Sequence, residues 1–174
     1  MSQNNFDASL KLVLQSEGGY VAESCDPGGV TNLGVTQRVM EEWLGHPVDN
    51  KFMQKLTPEI VAPLYKAKYW MACSAPKLPI GMDYAVFDTA VNMGVGTAVK
   101  LLQESLGCVP DAMLGPRTIQ LIDQKDPTMM LAKFCQRRRD YYSGLKLFPM
   151  YGKGWLKRVE FVFENALKMI GEPK

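Results

Sequence analysis

Apolar residues recur at helical spacing from the start of the chain. Phe6, Leu10, Val13, Leu14 and then Glu17, followed by Gly18-Gly19 as a stop, predict an amphipathic helix over 6–17. Residues 19–35 lose that period. Cys25-Asp26-Pro27-Gly28-Gly29 is a strong turn signal with Val and Thr on either side, which predicts a short, irregular β-hairpin. Thr36 is placed to cap a helix over 37–44 that Gly45 ends, and Thr57-Pro58 opens another toward Ala72, kinked at Pro63. Residues 81–93 are strongly apolar at helical length, and Gly94-Val95-Gly96 turns into a second helix across 97–106. Gly115-Pro116 and Asp126-Pro127 each set a cap before a first-turn proline, and a last helix covers 154–170. The fold expected is mostly α within an α+β class, a helical bundle with a small N-terminal β-hairpin wing. No repeat or low-complexity stretch interrupts it.

Composition narrows the classes. The 174 residues are 47% hydrophobic and 22% charged, enough for one main folded lobe and unlike a disordered chain. No apolar run approaches the roughly 20 residues that a bilayer requires. Met-Ser-Gln-Asn-Asn-Phe has no basic stretch leading into an apolar one, so no standard signal peptide is expected and synthesis in the cytoplasm is. Cys25, Cys73, Cys108 and Cys135 are scattered and His46 is the sole histidine. Such spacing argues against zinc and thioredoxin chemistry and for free thiols. Net charge is only +2, but unevenly spread. Residues 1–110 hold 8 Lys+Arg against 11 Asp+Glu, and residues 111–174 hold 12 against 7. A basic C-terminal third suits an anionic polymer, or is simply a solvated face.

Glu17 is the most informative position. It continues the apolar stripe of its helix, where a carboxyl is costly to ionise, and it stands at the helix C-terminus, where the dipole disfavours negative charge. A carboxyl that keeps its proton is what general acid catalysis needs. The competing reading is a glutamate at a frayed helix end, turned to water. Nine residues on, Asp26 sits in a polar turn followed by Thr31 and Asn32. One protonated and one ionised carboxyl across a scissile bond is the arrangement of glycoside hydrolysis. Thr31 is a candidate for holding the attacking water, in competition with Thr36, which has a capping duty.

Ser16-Glu17-Gly18-Gly19-Tyr20 and Asp26-Pro27-Gly28-Gly29-Val30-Thr31-Asn32-Leu33-Gly34-Val35-Thr36 together closely resemble the opening of glycoside hydrolase family 108. The resemblance continues through Tyr69-Trp70, Leu78-Pro79, Phe87-Asp88-Thr89-Ala90-Val91-Asn92-Met93-Gly94 and Leu101-Leu102-Gln103. In the last third, Asp111 to Thr118 and Gly154-Trp155 resemble a small peptidoglycan-binding segment. The family comprises phage and bacterial N-acetylmuramidases with a lysozyme-like fold, and its motif glutamate is the catalytic acid, which falls on Glu17. It is also similar to phage lysozymes with a Glu, Asp, Thr set, which implies Asp26 and Thr31 as partners and inversion at the anomeric carbon.

The resemblance implies a catalytic region over 1–108 and a helical peptidoglycan-binding region over 109–174 packed on it. It implies hydrolysis of the β-1,4 bond between N-acetylmuramic acid and N-acetylglucosamine without a metal or organic cofactor. Peptidoglycan, not nucleic acid, is then the partner of a monomeric enzyme, in the periplasm or outside the cell, reached by lysis, a holin-type pore or an export machinery. Tyr20 and Asn32 in the motif, Tyr69 and Trp70 as an aromatic platform, and Tyr84, Asp88 and Asn92 at intervals of four on one helix are the sugar-binding candidates. For Asp88 the alternative is a buried polar network. Arg137 and Arg138, beside Arg139, Tyr141 and Tyr142, are candidates for the carboxylates of peptide stems, against a plain solvated helix face. Rival readings are a lytic transglycosylase using Glu17 alone and a non-catalytic module binding cell wall or nucleic acid.

Overall fold

The computed structural model describes residues 5–21 and 30–171, and in it the N-terminal apolar stripe is buried as its spacing requires. Helix α1 spans Phe6–Ser16, with Phe6, Leu10 and Val13 buried. Among the described residues the chain forms two compact units, one over Asp7–Lys68 and the other taking up the chain from Tyr69 together with the N-terminal residues to Phe6.

The smaller unit contains the β element. Strands β1 (Thr31–Asn32) and β2 (Val35–Thr36) pair antiparallel, Thr31 opposite Thr36 and Asn32 opposite Val35. Val21 extends the ladder through two backbone hydrogen bonds with Thr31, at 2.8 and 2.9 Å. Leu33 (φ 49°) and Gly34 (φ 72°) make the connection. Positive φ at both central residues is the geometry whose twist suits a two-residue hairpin. Thr36 then caps α2 (Gln37–Leu44), its Oγ1 accepting from the Val39 N–H, and Gly45 ends that helix in the left-handed conformation. A five-residue helix, α3 (Asn50–Gln54), lies where the sequence predicts none; five residues carry too little period to be read, and it depends on Asp49 accepting from the Phe52 N–H at 2.8 Å.

Helix α4 (Pro58–Tyr65) begins at the expected proline, but Thr57 makes no side-chain cap. The helix does not run uniformly to Ala72. Pro63 cannot donate to the carbonyl four residues back, and from Lys66 to Met71 the chain continues as a wider π-helix.

The larger unit is built around α5 (Met82–Met93), buried continuously over 82–90. A helix covered all round is a central one, and here α6 (Val95–Leu106), α8 (Pro127–Ser143), α9 (Phe148–Gly171) and a 3₁₀ turn at Ala75–Lys77 surround it. Helix α7 (Pro116–Asp123) packs on α6. Helix α9 starts six residues earlier than periodicity predicts. Pro149 is harmless in a first turn, and Gly152 leaves room for the Phe148 ring, which a Cβ would meet at 2.6 Å. Trp70 is a core residue, edge-on to Phe6 and Phe87 at 5.5 and 5.3 Å between ring centroids. No described helix is long and apolar enough to cross a membrane.

Asp83, in the first turn of α5, is buried, and its Oδ1 accepts from the Gly81 and Tyr84 backbone N–H groups and from Asn5 Nδ2. Burial outweighs these donors and pushes its carboxyl up to about 6. A carboxyl that holds its proton more tightly when folded contributes stability below pH 4, and loses it as pH rises through 6. Asp83→Asn keeps the Oδ1 acceptor and removes the titration. Denaturant midpoints at pH 4.5 and 7.5 should therefore differ less in the variant than in wild type, by about 2 kcal/mol in stability. An unchanged difference would contradict the assignment.

Candidate active site

Glu17 follows the last residue of α1, and its N–H still closes a helical turn onto the Val13 carbonyl at 3.2 Å. The side chain is half-buried and lies against the hairpin turn. A Cβ on Gly34 would stand 2.8 Å from Glu17 Oε2, 2.9 Å from its Cγ and 2.6 Å from the Tyr65 hydroxyl oxygen. Three segments thus converge on one point: the end of α1, the turn between β1 and β2, and the end of α4. Gly34 is required there twice over, by its positive φ and by the closeness of the carboxylate. Leu33 pays for its left-handed backbone with about 1 kcal/mol, and the Tyr65 hydroxyl, donating to its carbonyl at 2.8 Å, holds the strained turn in place. Strain fixed in this way is a frequent property of functional sites.

Thr31 is half-buried in β1 and opposite Thr36, so the two threonines share a face of the hairpin. The Thr36 hydroxyl is engaged as a helix cap, and Thr31 caps none of the described helices. Asn32 is buried, and its Nδ2 donates to the Met53 carbonyl at 2.8 Å, tying the hairpin to α3. Its side chain is spent on structure. Tyr20 is exposed. Asp26 and Cys25 lie outside the described residues. A groove of about 590 Å³ in the same unit runs between α1 and α4, lined by Leu10, Leu14, Pro58 and Ala62, and does not include Glu17.

The other candidates belong to the larger unit, where several are in the interior. Asp88 is fully buried, and so is Arg138, which donates from Nη1 to Asp88 Oδ1 at 2.7 Å. Arg158 closes the other side, Nη2 to Oδ2 at 2.9 Å and Nε to both oxygens at 3.2 and 3.1 Å. Arg138 also donates to the Tyr142 hydroxyl, which donates to Asn92 Oδ1. Burial alone would depress the Arg138 guanidinium, but Asp88 and Tyr142 lift it above its ordinary range. The period of α8 explains the placement. Phe134, Arg138 and Tyr142 are four apart on its buried face, while Arg137 points out and Arg139 pairs with Glu160. The expected peptide-stem contact through Arg138 is therefore corrected: its charge is consumed by Asp88.

Tyr84 is buried too, and burial first, then Asp88, raises its phenol above the ordinary range. Its hydroxyl and Arg138 Nε have no partner among the described residues. Of the stripe Tyr84, Asp88 and Asn92, only Asn92 is exposed. Trp70, in the core, offers no platform to a sugar ring, and Tyr69 is half-buried.

Cys73 and Cys135 are free and buried, and burial pushes their thiols up to about 12 and about 11, unlike a nucleophile. Among the described residues no group of His, Cys, Asp and Glu could hold a metal ion. Sequence reasoning missed Gly34 and Tyr65 as supports of Glu17. The Leu33-Gly34 pair between two Val/Thr-rich dipeptides was a usable signal for the tight turn.

Residues 10–94 match the family model described as Glycosyl hydrolase 108, and residues 97–160 match one described as Predicted Peptidoglycan domain. No curated protein gives a match. The solved structure of Brucella abortus SagA is similar over 98% of each chain, with 32% identity and a TM-score of 0.84. The chain, with a mostly α, lysozyme-like fold, belongs to glycosyl hydrolase family 108 and is a glycosidase acting on peptidoglycan.

Proposed function

We propose that the protein is an N-acetylmuramidase that hydrolyses the β-1,4 bond between N-acetylmuramic acid and N-acetylglucosamine. The observation that carries this reading is the Glu17 carboxyl held at the end of α1 against Gly34 and Tyr65, inside the segment matching the glycosyl hydrolase model. In the proposed reaction Glu17 protonates the leaving glycosidic oxygen as its bond to the anomeric carbon breaks, and water positioned by Thr31 gives a proton to Asp26 as its oxygen bonds to that carbon. Residues 1–108 supply this chemistry and residues 109–174 hold the wall polymer, in the periplasm or outside the cell.

Positioning by the turn is directly testable. Gly34→Ala must push the Glu17 carboxyl and strain a positive-φ residue. Clearing of purified sacculi by the folded variant should fall about a hundredfold, because catalytic groups act only within a fraction of an ångström of their place. Retention of more than a tenth of the wild-type rate would show that the turn does not position Glu17. Thr31→Ala should lower turnover further than Thr36→Ala once each variant is shown to be folded. The reverse order would give the water to Thr36.

The exposed Arg137 supplies long-range attraction to the wall in this reading. Such attraction weakens as the Debye length falls from about 10 Å at 0.1 M salt to about 3 Å at 1 M. Arg137→Gln should flatten the salt dependence of sacculus pull-down and leave melting temperature unchanged. An unaltered salt slope would assign attraction to other cations.

A further inference from the structure

The segment after α6 is built in a way that neither the core nor the Glu17 site accounts for. Gln103 on α6 is buried, yet its whole amide is directed at this segment: Nε2 donates to Asp111 Oδ1 at 2.7 Å and to the Met113 carbonyl at 3.0 Å, and Oε1 accepts from the Ala112 N–H at 2.9 Å. Asp111 Oδ1 also accepts from the Met113 N–H at 2.9 Å. Ala112 is held at φ 65°, a conformation that an alanine adopts only when its surroundings impose it. A pinned loop of this kind has given up its freedom in advance of any ligand.

What the pinned loop presents is apolar and open. Val109 is 79% exposed and Met113 68% exposed. Beside them is a concavity of about 430 Å³, also lined by Cys108, Asp111 and Arg117. That volume is within the range of small-ligand sites, roughly 300–1,000 Å³. Arg117 has no ion-pair partner among the described residues. The Gln103 amide, then the Met113 N–H, holds the Asp111 carboxyl below its usual range, so the concavity carries one fixed anion and one unpaired cation.

We propose that this concavity is a subsite for the peptide stem of peptidoglycan, separate from the glycan-cleaving centre. The proposal rests on peptidoglycan being the substrate, and all the residues concerned fall in the segment matching the peptidoglycan domain. A stem peptide combines small methyl side chains, free carboxylates and the amine of a diamino acid. Val109 and Met113 suit the methyls, the Arg117 fork suits a carboxylate, and Asp111 suits the amine. A bare glycan strand offers no such pair of charges at close range.

The test uses the full chain and a synthetic stem tetrapeptide of alanine, γ-linked glutamate, diaminopimelate and alanine, with binding followed by chemical-shift perturbation. Wild type should bind, with shifts at Val109, Met113 and Arg117. Arg117→Gln should weaken binding about tenfold, as loss of one charge-assisted hydrogen-bond pair implies, and Met113→Ser less. Lys168→Gln, in the last turn of α9, should bind as wild type does. Cleavage of peptide-free glycan strands should be the same in Arg117→Gln and wild type. Failure of wild type to bind the tetrapeptide, or equal binding by Arg117→Gln, would overturn the subsite. Peptide binding by a chain that leaves glycan strands intact would uphold the subsite and defeat the muramidase reading instead.

Discussion

Glu17→Gln should fold and bind sacculi like the wild type while its clearing rate falls by about three orders of magnitude, the usual worth of a positioned general acid. Glutamine preserves the volume packed against Gly34, and the Tyr65 hydroxyl keeps its bond to the Leu33 carbonyl, so neither the hairpin turn nor the end of α1 has reason to move. Only the transferable proton is lost. The comparison with Gly34→Ala gives this variant its meaning. One removes the proton and keeps the place; the other keeps the proton and shifts the place. Both should lower turnover with little change in affinity, since each acts on the transition state rather than on ground-state binding. A folded Glu17→Gln protein that retains more than a tenth of wild-type clearing would show that another group protonates the leaving oxygen.

Asp88→Asn should be the most destabilising conservative substitution in the larger unit. It leaves two guanidinium groups facing each other, one of them wholly buried. Breaking a buried ion pair by removing one partner costs about 3–5 kcal/mol, and for a chain of this size each kcal/mol lowers the melting temperature by about 2–4 °C. A loss of about 10 °C is therefore expected. Arg138→Gln should cost less, because Asp88 keeps Arg158. The catalytic rate per folded molecule, on a soluble glycan below the transition, should remain near wild type in both. A melting temperature unchanged in Asp88→Asn would contradict the buried network. A rate loss without destabilisation would return Asp88 to the substrate.

These two expectations mark where the sequence was legible. Helix starts carried by a cap or a first-turn proline, at Gln37, Pro58, Pro116 and Pro127, lie where local chemistry places them, because a proline or a capping side chain acts within one turn. Glu17 was legible for the same reason, as a carboxyl continuing an apolar stripe. Its supports were not. Tyr65 reads as one more apolar residue of α4, and nothing local shows that its hydroxyl reaches a carbonyl 32 residues away. Asp88 and Arg138 are 50 residues apart, and such a pair exists only once α5 and α8 are packed. The run Arg137-Arg138-Arg139 reads as a single basic face by composition. The helical period through Phe134, Arg138 and Tyr142 divides it into an inward arginine and two outward ones. Burial of Trp70 is likewise a tertiary fact, decided by Phe6 and Phe87 rather than by the Tyr-Trp pair itself.

The central claim is hydrolysis of one glycosidic bond with Glu17 as acid, and mass spectrometry of the fragments released from purified sacculi tests it most directly. Transfer to water leaves N-acetylmuramic acid at a reducing end. An intramolecular reaction by the same glutamate leaves an anhydromuramic end lighter by one water. Muropeptides released by the wild-type protein should carry reducing N-acetylmuramic acid ends, and Glu17→Gln should release almost none. Anhydromuramic ends, reducing N-acetylglucosamine ends, or fragments cut only in the peptide stems would contradict the account.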